Sequence, residues 1–373
     1  MMNKNRVTHL IYSEKVGGSE IVAANVCGYL GQLGFDPLVL FMLRSVGEMP
    51  EILQNIQVPC KHLNMYWRTM PFESYYITYI LNKLRVDILH VHHIPLYLRV
   101  AKAVRMSRVK GVVCTEHAKF SIEQSGRLQK GCREAAQQAD FFTTVSSDLK
   151  DYFIRGLDIP ESRIKVILNG VDVNRFNPEM KNYTLRSTLP AEFTGKILIH
   201  VGRLAKAKDH TTLLDTMQLL RKHGHDVVLF LVGDGDLRPD IEQQVADLNL
   251  TQYVQLLGMR TDVDQLLLGA DLFVMSSQRE GLPMVLMEAM SCGLPVVSTD
   301  VGGIAEIITD HETGRLVEPK RPDLLAKAIE DILNSTDGGQ PLGLRARKTI
   351  VEKYSLETTA KNYSQLYEEI VSG

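Results

Sequence analysis

Residues 279–297 combine two carboxylates with the start of a helix, in the order R-E-G-L-P-M-V-L-M-E-A-M-S-C-G-L-P-V-V. Pro283 suits a first helical position and Gly293 suits a left-handed residue just past a helix end, so we predict a helix from about Leu282 to Ser291. Its first turn would offer unpaired backbone N–H groups and the positive end of the helix dipole to an anion. This stretch therefore predicts a diphosphate site.

Two glutamates flank the predicted phosphate position. Glu280 lies in the loop before the helix, and Glu288 lies two turns inside it, with a side chain that leans back towards the helix N-terminus. A carboxylate repels phosphate, but it accepts hydrogen bonds from two neighbouring hydroxyls, as on a ribose or a hexose. The pattern therefore indicates a nucleotide-sugar site.

A basic loop supplies matching cations. Arg203 follows a predicted strand, Ile197 to Val201, and Lys208 comes five residues later. Basic loop residues are by default solvated. At this spacing, however, a guanidinium and an ammonium can bind one diphosphate together.

These patterns resemble a known signature. The spacing of Glu280 and Glu288, the continuation E-A-M-S-C-G-L-P-V-V, and the loop G-R-L…K from Gly202 to Lys208 are similar to those of the retaining GT-B glycosyltransferases of family 4. Further matches extend the resemblance over nearly the whole chain. It implies an α/β fold of GT-B architecture, in which two Rossmann-like doubly wound domains face each other across a cleft.

The resemblance also implies a role for each matching residue. Arg203 and Lys208 would stabilise the leaving diphosphate, Glu280 would hold the hexose hydroxyls and steady the sugar cation, and Glu288 would hold the ribose. The other donor-binding positions that it implies are Gly281, Leu282, Pro283, Met259, Gly17 and Gly18. It further implies retention by same-face attack, in which the leaving phosphate takes the acceptor proton. Two cations and a helix dipole make a divalent ion unnecessary, so we expect no metal and no cofactor.

The first half opens with a predicted strand, Arg6 to Tyr12, followed by Gly17-Gly18 and a helix. This order is typical of a doubly wound domain. The fingerprint Gly-x-Gly-x-x-Gly is absent, so a dinucleotide site is not indicated, and two glycines alone usually make a tight turn. The resemblance implies more, since in the family a Gly-Gly loop at this position faces the donor phosphates and the acceptor.

His117 directly follows another predicted strand, Gly111 to Glu116, at the carboxyl end where α/β sheets bind their ligands. A lone strand-end histidine usually has only a structural role. The triplet Thr115-Glu116-His117, however, matches the place where relatives hold a histidine near the transferred sugar. We therefore predict that His117 contacts a donor or acceptor hydroxyl and that its neutral imidazole steadies the reacting centre.

Three histidines close together suggest a metal site. Strand alternation predicts that His90 and His92 face one side of the sheet and His93 the other, and no carboxylate stands at a helpful spacing. We therefore expect no metal there.

Length and cysteine usage limit the classes of protein to which this chain can belong. The 373 residues suit two domains, which we place at 1–172 and 173–354, with a final helix (355–373) that packs back on the first. The five cysteines are scattered without Cys-x-x-Cys pairs, which favours a reducing compartment. No apolar run is long enough to span a membrane, so we expect a cytoplasmic protein.

Charge and aromatic residues leave two surfaces open to interpretation. The segment Arg99–Lys110 is basic and amphipathic, which fits a solvated helix face or, less readily, a peripheral contact with anionic lipid at the inner face of the membrane. Aromatic residues from Tyr66 to Tyr79 include a helical stripe, for which core packing is the first expectation and sugar stacking the second. The near-zero net charge and the lack of a recognition module argue against nucleic acid.

The predicted function is transfer of a sugar from a nucleoside-diphosphate sugar, with UDP favoured, to a saccharide or lipid-linked acceptor in surface polysaccharide or glycoconjugate synthesis. Two alternatives are a nucleotide-sugar epimerase or hydrolase on the same fold, and a non-catalytic sugar-binding subunit of a polysaccharide-assembly complex. The intact set Arg203, Lys208, Glu280 and Glu288 argues against both.

Overall fold

A computed structural model describes residues 4–43, 46–65, 72–180 and 185–373. The chain divides into two compact units. Unit 1 contains Met1–Gly170 together with Leu356–Gly373, and unit 2 contains Val171–Ser355.

Unit 1 is built on a seven-stranded sheet with the order β3-β2-β1-β4-β5-β6-β7. All of its paired strands are parallel. The strands are β1 (Arg6–Ile11), β2 (Asp36–Leu43), β3 (Cys60–Met65), β4 (Ile88–His92), β5 (Gly111–Glu116), β6 (Phe141–Thr144) and β7 (Ile164–Val166). The helices between them are α1 (Gly18–Leu30), α2 (Met49–Asn55), α3 (Glu73–Lys83), α4 (Ile94–Met106), α5 (Phe120–Glu123), α6 (Gly126–Gln138) and α7 (Ser147–Leu157).

Unit 2 repeats the plan with a six-stranded sheet, in which β8 and its neighbours follow the order β10-β9-β8-β11-β12-β13. The strands are β8 (Lys196–Val201), β9 (Val227–Val232), β10 (Val254–Gly258), β11 (Leu272–Met275), β12 (Val296–Thr299) and β13 (Arg315–Val317). The helices are α8 (His210–Lys222), α9 (Arg238–Asp247), α10 (Val263–Gly269), α11 (Met284–Ser291), α12 (Ile304–Ile307), α13 (Pro322–Leu333) and α14 (Gln340–Lys353). The last helix, α15 (Leu356–Ser372), belongs to unit 1.

Helices cover both faces of each sheet, which explains the continuous apolar runs in the strands. In unit 1, Leu10 and Leu40 join one buried cluster, whereas their chain neighbours Ile11 and Phe41 join the cluster on the opposite face. Successive strand residues point to opposite faces, so both clusters draw on the same strands. This is the doubly wound arrangement that places strand ends at a common edge.

Helix α11 begins two residues later than we predicted. Pro283 is its N-cap, with an extended backbone (φ −72°, ψ 113°), and is not the first helical residue. Gly293 has the expected left-handed conformation, with φ 74°. The shift lengthens the loop that carries Glu280.

The aromatic stripe is exposed, which corrects the expectation of core packing. Phe72 is 77% exposed, Tyr75 60% and Tyr79 58%. Helix α3 buries Ile77 and Leu81 instead, since these aliphatic residues lie four apart on the other face. The part of the aromatic stretch at Tyr66 and Trp67 lies outside the described residues.

The basic segment from Arg99 to Lys110 lies largely on α4, whose apolar face is buried in the unit 1 core. Leu96 and Val100 are buried, Arg99 is paired with Glu73, and Lys110 lies 3.0 Å from Asp87. The segment therefore presents charge without a broad apolar face for lipid. None of the described helices is both long and apolar enough to cross a membrane.

Candidate active site

An ion pair lies where two strands of unit 2 end. The Lys208 ammonium is 2.6 Å from Glu280 Oε1, and the Ser277 hydroxyl donates to the same oxygen at 2.6 Å. Both charged side chains are mostly buried, with 19% and 10% of their surfaces exposed. Lys208 follows β8 and Glu280 follows β11, which are neighbours in the sheet. The parallel sheet thus joins two residues that are far apart in the chain.

Hydrogen bonds between the two loops hold this pair in place. The Ser276 hydroxyl donates to the backbone oxygens of Lys208 and Asp209, at 2.9 and 3.0 Å. The Gln278 N–H donates to Ala207 O at 2.8 Å. Asp209 has φ 50° and caps α8 by accepting from Thr212 N–H. Lys208 therefore sits on a short turn that is fixed on both sides.

Close backbone contacts at glycines shape the same edge. Gly302 has φ +59°, and a Cβ there would lie 2.1 Å from the Glu280 backbone oxygen. Gly233 has φ +129°, and a Cβ there would lie 2.1 Å from Gly202 O. Only glycine fits such positions, because a side chain would clash and the conformation would be strained. The loops of Glu280 and Arg203 depend on these contacts.

Arg203, in contrast, extends into solvent. Its side chain is 72% exposed and lies 3.8 Å from the exposed Asp236 carboxylate. The structure therefore does not join Arg203 and Lys208 through a common protein group. Arg203 is a cation that remains accessible to an anionic ligand.

Glu288 lies within α11, and no described residue donates a hydrogen bond to its carboxylate. Burial raises its pKa to about 7, against the opposing effect of Arg175, while Asp264 raises it further. Glu288 is thus a carboxyl group with free acceptor capacity.

The other predicted donor-binding positions of unit 2 differ in exposure. Gly281 is half-buried, and Leu282 and Pro283 are buried, in the turn that leads into α11. Met259 directly follows β10 and is 67% exposed.

In unit 1, His117 lies at the end of β5 beside a buried ion pair. Glu116 is 2.8 Å from His93 Nδ1 and also accepts from the backbone N–H groups of Ile94 and His117. Burial alone would raise the pKa of Glu116, but His93 lowers it to about 2. Burial would likewise lower the pKa of His93, but Glu116 raises it. Burial and the His93 cation lower the pKa of His117 to about 3, which keeps its ring neutral.

Gly17 and Gly18 form the turn into α1. Gly17 is the N-cap, and a Cβ there would lie 2.5 Å from Glu20 Oε2. A Cβ at Gly18 would have no atom within 4 Å. The next residue, Ser19, bonds through its hydroxyl to His93 Nε2 at 2.9 Å. This glycine turn is thereby connected to the strand-end histidines of unit 1.

His90 and His92 face the same side of the sheet as predicted, and His9 joins them. One ring nitrogen from each of the three lies within 4.8 Å of the others, a spacing that could hold a metal ion. Every ring nitrogen of these residues, however, already has a hydrogen-bonding partner. The residues therefore fit a hydrogen-bond network better than a ligand set.

Sequence reasoning missed Ser277, His9 and the pairing of His93 with Glu116. Ser277 carries a weak signal, since it is a hydroxyl residue three positions before Glu280 in the sequence. His9 carries none, because it lies inside an apolar strand.

Two doubly wound units with polar groups at their strand ends are typical of α/β proteins that bind ligands at this edge. The family model described as "Glycosyltransferase Family 4" matches residues 16–175, and the family model described as "Glycosyl transferases group 1" matches residues 184–349. The chain belongs to the family 4 glycosyltransferases, as its sequence patterns predicted.

Known proteins agree with this assignment. The D-inositol 3-phosphate glycosyltransferase of Paenarthrobacter aurescens is 30% identical over 314 residues, which are 78% of this chain and 74% of that protein. The N-acetyl-alpha-D-glucosaminyl L-malate synthase of Bacillus anthracis is 28% identical over 369 residues, 95% of each chain. The crystal structure of Anabaena HepE in complex with UDP-glucose has a TM-score of 0.83 at 22% identity and covers 99% of this chain and 100% of that one. These similarities confirm the family and the GT-B fold.

Proposed function

We propose that this glycosyltransferase moves a sugar from a UDP-sugar to a hydroxyl of a saccharide or lipid-linked acceptor, with retention and without a metal ion. Its setting would be the synthesis of a surface polysaccharide or glycoconjugate. The observation that carries the proposal is the buried pair of Lys208 and Glu280 at adjoining strand ends, 2.6 Å apart.

The pair suits a ligand with an anionic part and a hydroxyl-rich part. A bound diphosphate would compete with Glu280 for the Lys208 ammonium and would also attract Arg203. Glu280 would then be free to accept hydrogen bonds from hexose hydroxyls and to stabilise positive charge on the sugar carbon. Glu288 would accept from the ribose hydroxyls. The charges that develop when the sugar–phosphate bond breaks would thus each meet an opposite charge.

Uridine is supported by the Anabaena structure, which contains UDP-glucose. The names of two relatives refer to L-malate and to D-inositol 3-phosphate. Acceptors other than saccharides and lipid-linked sugars should therefore also be tested. We assign an acceptor or donor hydroxyl contact to His117, because its ring is neutral and stands at a strand end. We assign contacts with the donor to Gly17-Gly18, because Gly18 is exposed and a Cβ there would have no atom within 4 Å.

Calorimetric titration with UDP and UDP-sugars tests the proposal. The variant Arg203→Ala/Lys208→Ala should weaken binding at least 100-fold, since hydrogen bonds to charged groups contribute about 1.5–3 kcal/mol each. Lys206→Ala is the matched control, because Lys206 is exposed and only two residues away. Equal affinities in the double variant and the control would refute the proposal.

Measuring UDP release with and without acceptors separates the remaining functions. Turnover that requires an acceptor supports transfer. Interconversion or hydrolysis of the donor without an acceptor would support the epimerase or hydrolase instead, and binding without any turnover would support a non-catalytic subunit.

A further inference from the structure

Four buried histidines of unit 1 lie side by side across three neighbouring strands. His9 comes from β1, His90 and His92 from β4, and His117 from the end of β5. Ring centroids are 5.2 Å apart between His9 and His92, and 5.2 Å between His92 and His117. Burial lowers the pKa of all four, to about 3 for His9 and for His117. At neutral pH each ring is therefore uncharged and carries a single N–H.

Hydrogen bonds connect these rings into a chain. His9 Nδ1 lies 3.0 Å from His92 Nε2, and His92 Nδ1 lies 3.0 Å from His117 Nε2. No described residue bonds to His117 Nδ1, which is the open end of the chain. His9 is at the other end of this series of three rings.

Tyr367 of α15 connects His9 to His90. Its hydroxyl lies 3.2 Å from His9 Nε2 and 2.6 Å from His90 Nδ1. His90 Nε2 in turn lies 2.6 Å from Thr115 Oγ1. Tyr367 is fully buried, and these two rings are the hydrogen-bonding partners that the structure gives its hydroxyl.

One hydrogen on the Tyr367 oxygen fixes every proton along the chain. If Tyr367 donates to His9 Nε2, then His9 must donate from Nδ1, and His92, His117 and His90 must also carry their protons on Nδ1. If Tyr367 donates to His90 Nδ1, then all four rings carry their protons on Nε2. Any mixed arrangement would leave the Tyr367 O–H without an acceptor or place two N–H groups or two lone pairs against each other, which is unfavourable in a buried site.

We infer that Tyr367, His9 and His92 are positioning residues that decide whether His117 presents an N–H donor or a lone pair at Nδ1. In the all-Nδ1 arrangement, His117 can donate a hydrogen bond to a ligand oxygen. In the all-Nε2 arrangement, it can only accept one. The tautomer of a strand-end residue is thus set by a hydroxyl on the C-terminal helix. The consequence for activity rests on the proposed function, whereas the tautomers themselves do not.

Nitrogen-15 NMR of the histidine rings tests this inference in the full-length protein. In the wild type, His9, His90, His92 and His117 should all carry the proton on the same nitrogen. In Tyr367→Phe, His9 Nε2 and His90 Nδ1 face a void, and each ring should avoid an unpaired N–H. His9, His92 and His117 should then carry the proton on Nδ1, and His90 on Nε2. Either wild-type arrangement therefore predicts a change in at least one ring.

Tyr363→Phe is the matched control. Tyr363 is equally buried in α15, but its hydroxyl contacts no ring nitrogen and lies 3.3 Å from Thr115 Oγ1. That oxygen keeps its closer partners, His90 Nε2 and Thr143 Oγ1, when the Tyr363 hydroxyl is removed. It should leave all four tautomers unchanged. Mixed tautomers or a charged ring in the wild type, identical ring spectra in Tyr367→Phe and wild type, or a stoichiometric metal ion in the purified protein would each overturn the inference.

An activity measurement separates this inference from the proposed function. If His117 changes tautomer in Tyr367→Phe, turnover should fall about tenfold, the size of one hydrogen bond, with UDP affinity unchanged. If only His90 changes, turnover should equal that of Tyr363→Phe; a departure from either expectation overturns the link to activity. The inference about the tautomers, which the ring spectra test, holds even if no sugar transfer is found.

Discussion

The two units have the same strand order but opposite chemistry at their strand ends. Each sheet begins with its third, second and first strands in that order and then continues with the fourth and later strands. In unit 2, the loops at this edge carry the Lys208–Glu280 pair and the exposed Arg203. In unit 1, the same edge carries neutral imidazoles. It also carries the His93–Glu116 pair, in which Glu116 accepts a further hydrogen bond from the backbone N–H of Ile94. One topology therefore supports a charged site and a mostly uncharged one.

We infer that strand order determines where ligands bind, while loop residues determine which part of a ligand is bound. Accessible cations suit a diphosphate, because charge-assisted hydrogen bonds are strong. A neutral network suits hydroxyls, which need directional partners without net charge. Substitutions in each unit test whether the two chemistries are separate.

The largest effect is expected for Glu280→Gln in unit 2. The change removes the carboxylate that Lys208 and Ser277 contact, and with it the negative charge proposed to stabilise the sugar cation. Turnover should fall about 100–1,000-fold, as for other groups that stabilise a transition state. Steady-state kinetics with a UDP-sugar checks this. Asp236→Asn is the control, since that carboxylate is 95% exposed, and an equal loss in both variants would contradict the special role of Glu280.

Gly302→Ala tests whether the charged site depends on a close backbone contact. A Cβ at Gly302 would lie 2.1 Å from Glu280 O at φ +59°. We expect a loss of about 2–5 kcal/mol in the free energy of unfolding from the clash and the strained backbone together, and reduced turnover as the loop moves. Gly338→Ala is a close control, because Gly338 has the same φ of +59° with nothing within 4 Å. It should cost only about 1–2 kcal/mol. Equal denaturation midpoints would show that the contact contributes nothing.

The smaller role of unit 1 in anion binding is tested by His117→Ala. Because the ring is neutral, UDP affinity should change less than about threefold, whereas turnover should fall about 10–100-fold through loss of a hydroxyl contact. Calorimetry and kinetics on the same preparation check both quantities. A large loss of UDP affinity would show that the two chemistries are not separate.

The sequence predicts the fold class well because alternation of strands and helices is a local property. The predicted start of α11 is wrong by only two residues, since the extended backbone of Pro283 fits an N-cap as well as a first turn. The identities of Glu280 and Lys208 are also local, through motif spacing. Their contact is not, because it depends on β8 and β11 being neighbours, and strand order is a property of the whole sheet.

The histidine chain is the least predictable part for the same reason. Tyr367 lies at the far end of the sequence from His9, yet α15 returns to unit 1 and places its hydroxyl between two rings. The expectation that the aromatic stripe of α3 packs in the core is wrong for another reason. Ile77 and Leu81 on the same helix compete with it for burial, and periodicity alone does not decide between two apolar faces.

The smallest effect is expected for Glu288→Gln, which changes a unit 2 carboxyl that accepts no side-chain hydrogen bond from the described residues. Burial raises its pKa from 4.5 to about 7. Between about pH 5 and 7 the folded protein therefore holds a proton that the unfolded chain has lost, so the free energy of unfolding falls as pH rises and levels off above this window. The loss is about 1–3 kcal/mol, because one pKa unit corresponds to about 1.4 kcal/mol and part of the side chain is exposed.

Glutamine cannot ionise, so Glu288→Gln should remove this loss and be more stable than the wild type at pH 8 but not at pH 5. Chemical denaturation at both pH values measures the difference. Glu312→Gln, which changes an exposed carboxylate of unit 2, should follow the wild-type curve. If Glu288→Gln also follows that curve, Glu288 is ionised without cost, and the charged site of unit 2 carries a second full negative charge at neutral pH. In that case its attraction for a diphosphate would depend on Arg203 and Lys208 more heavily than the contrast with unit 1 suggests.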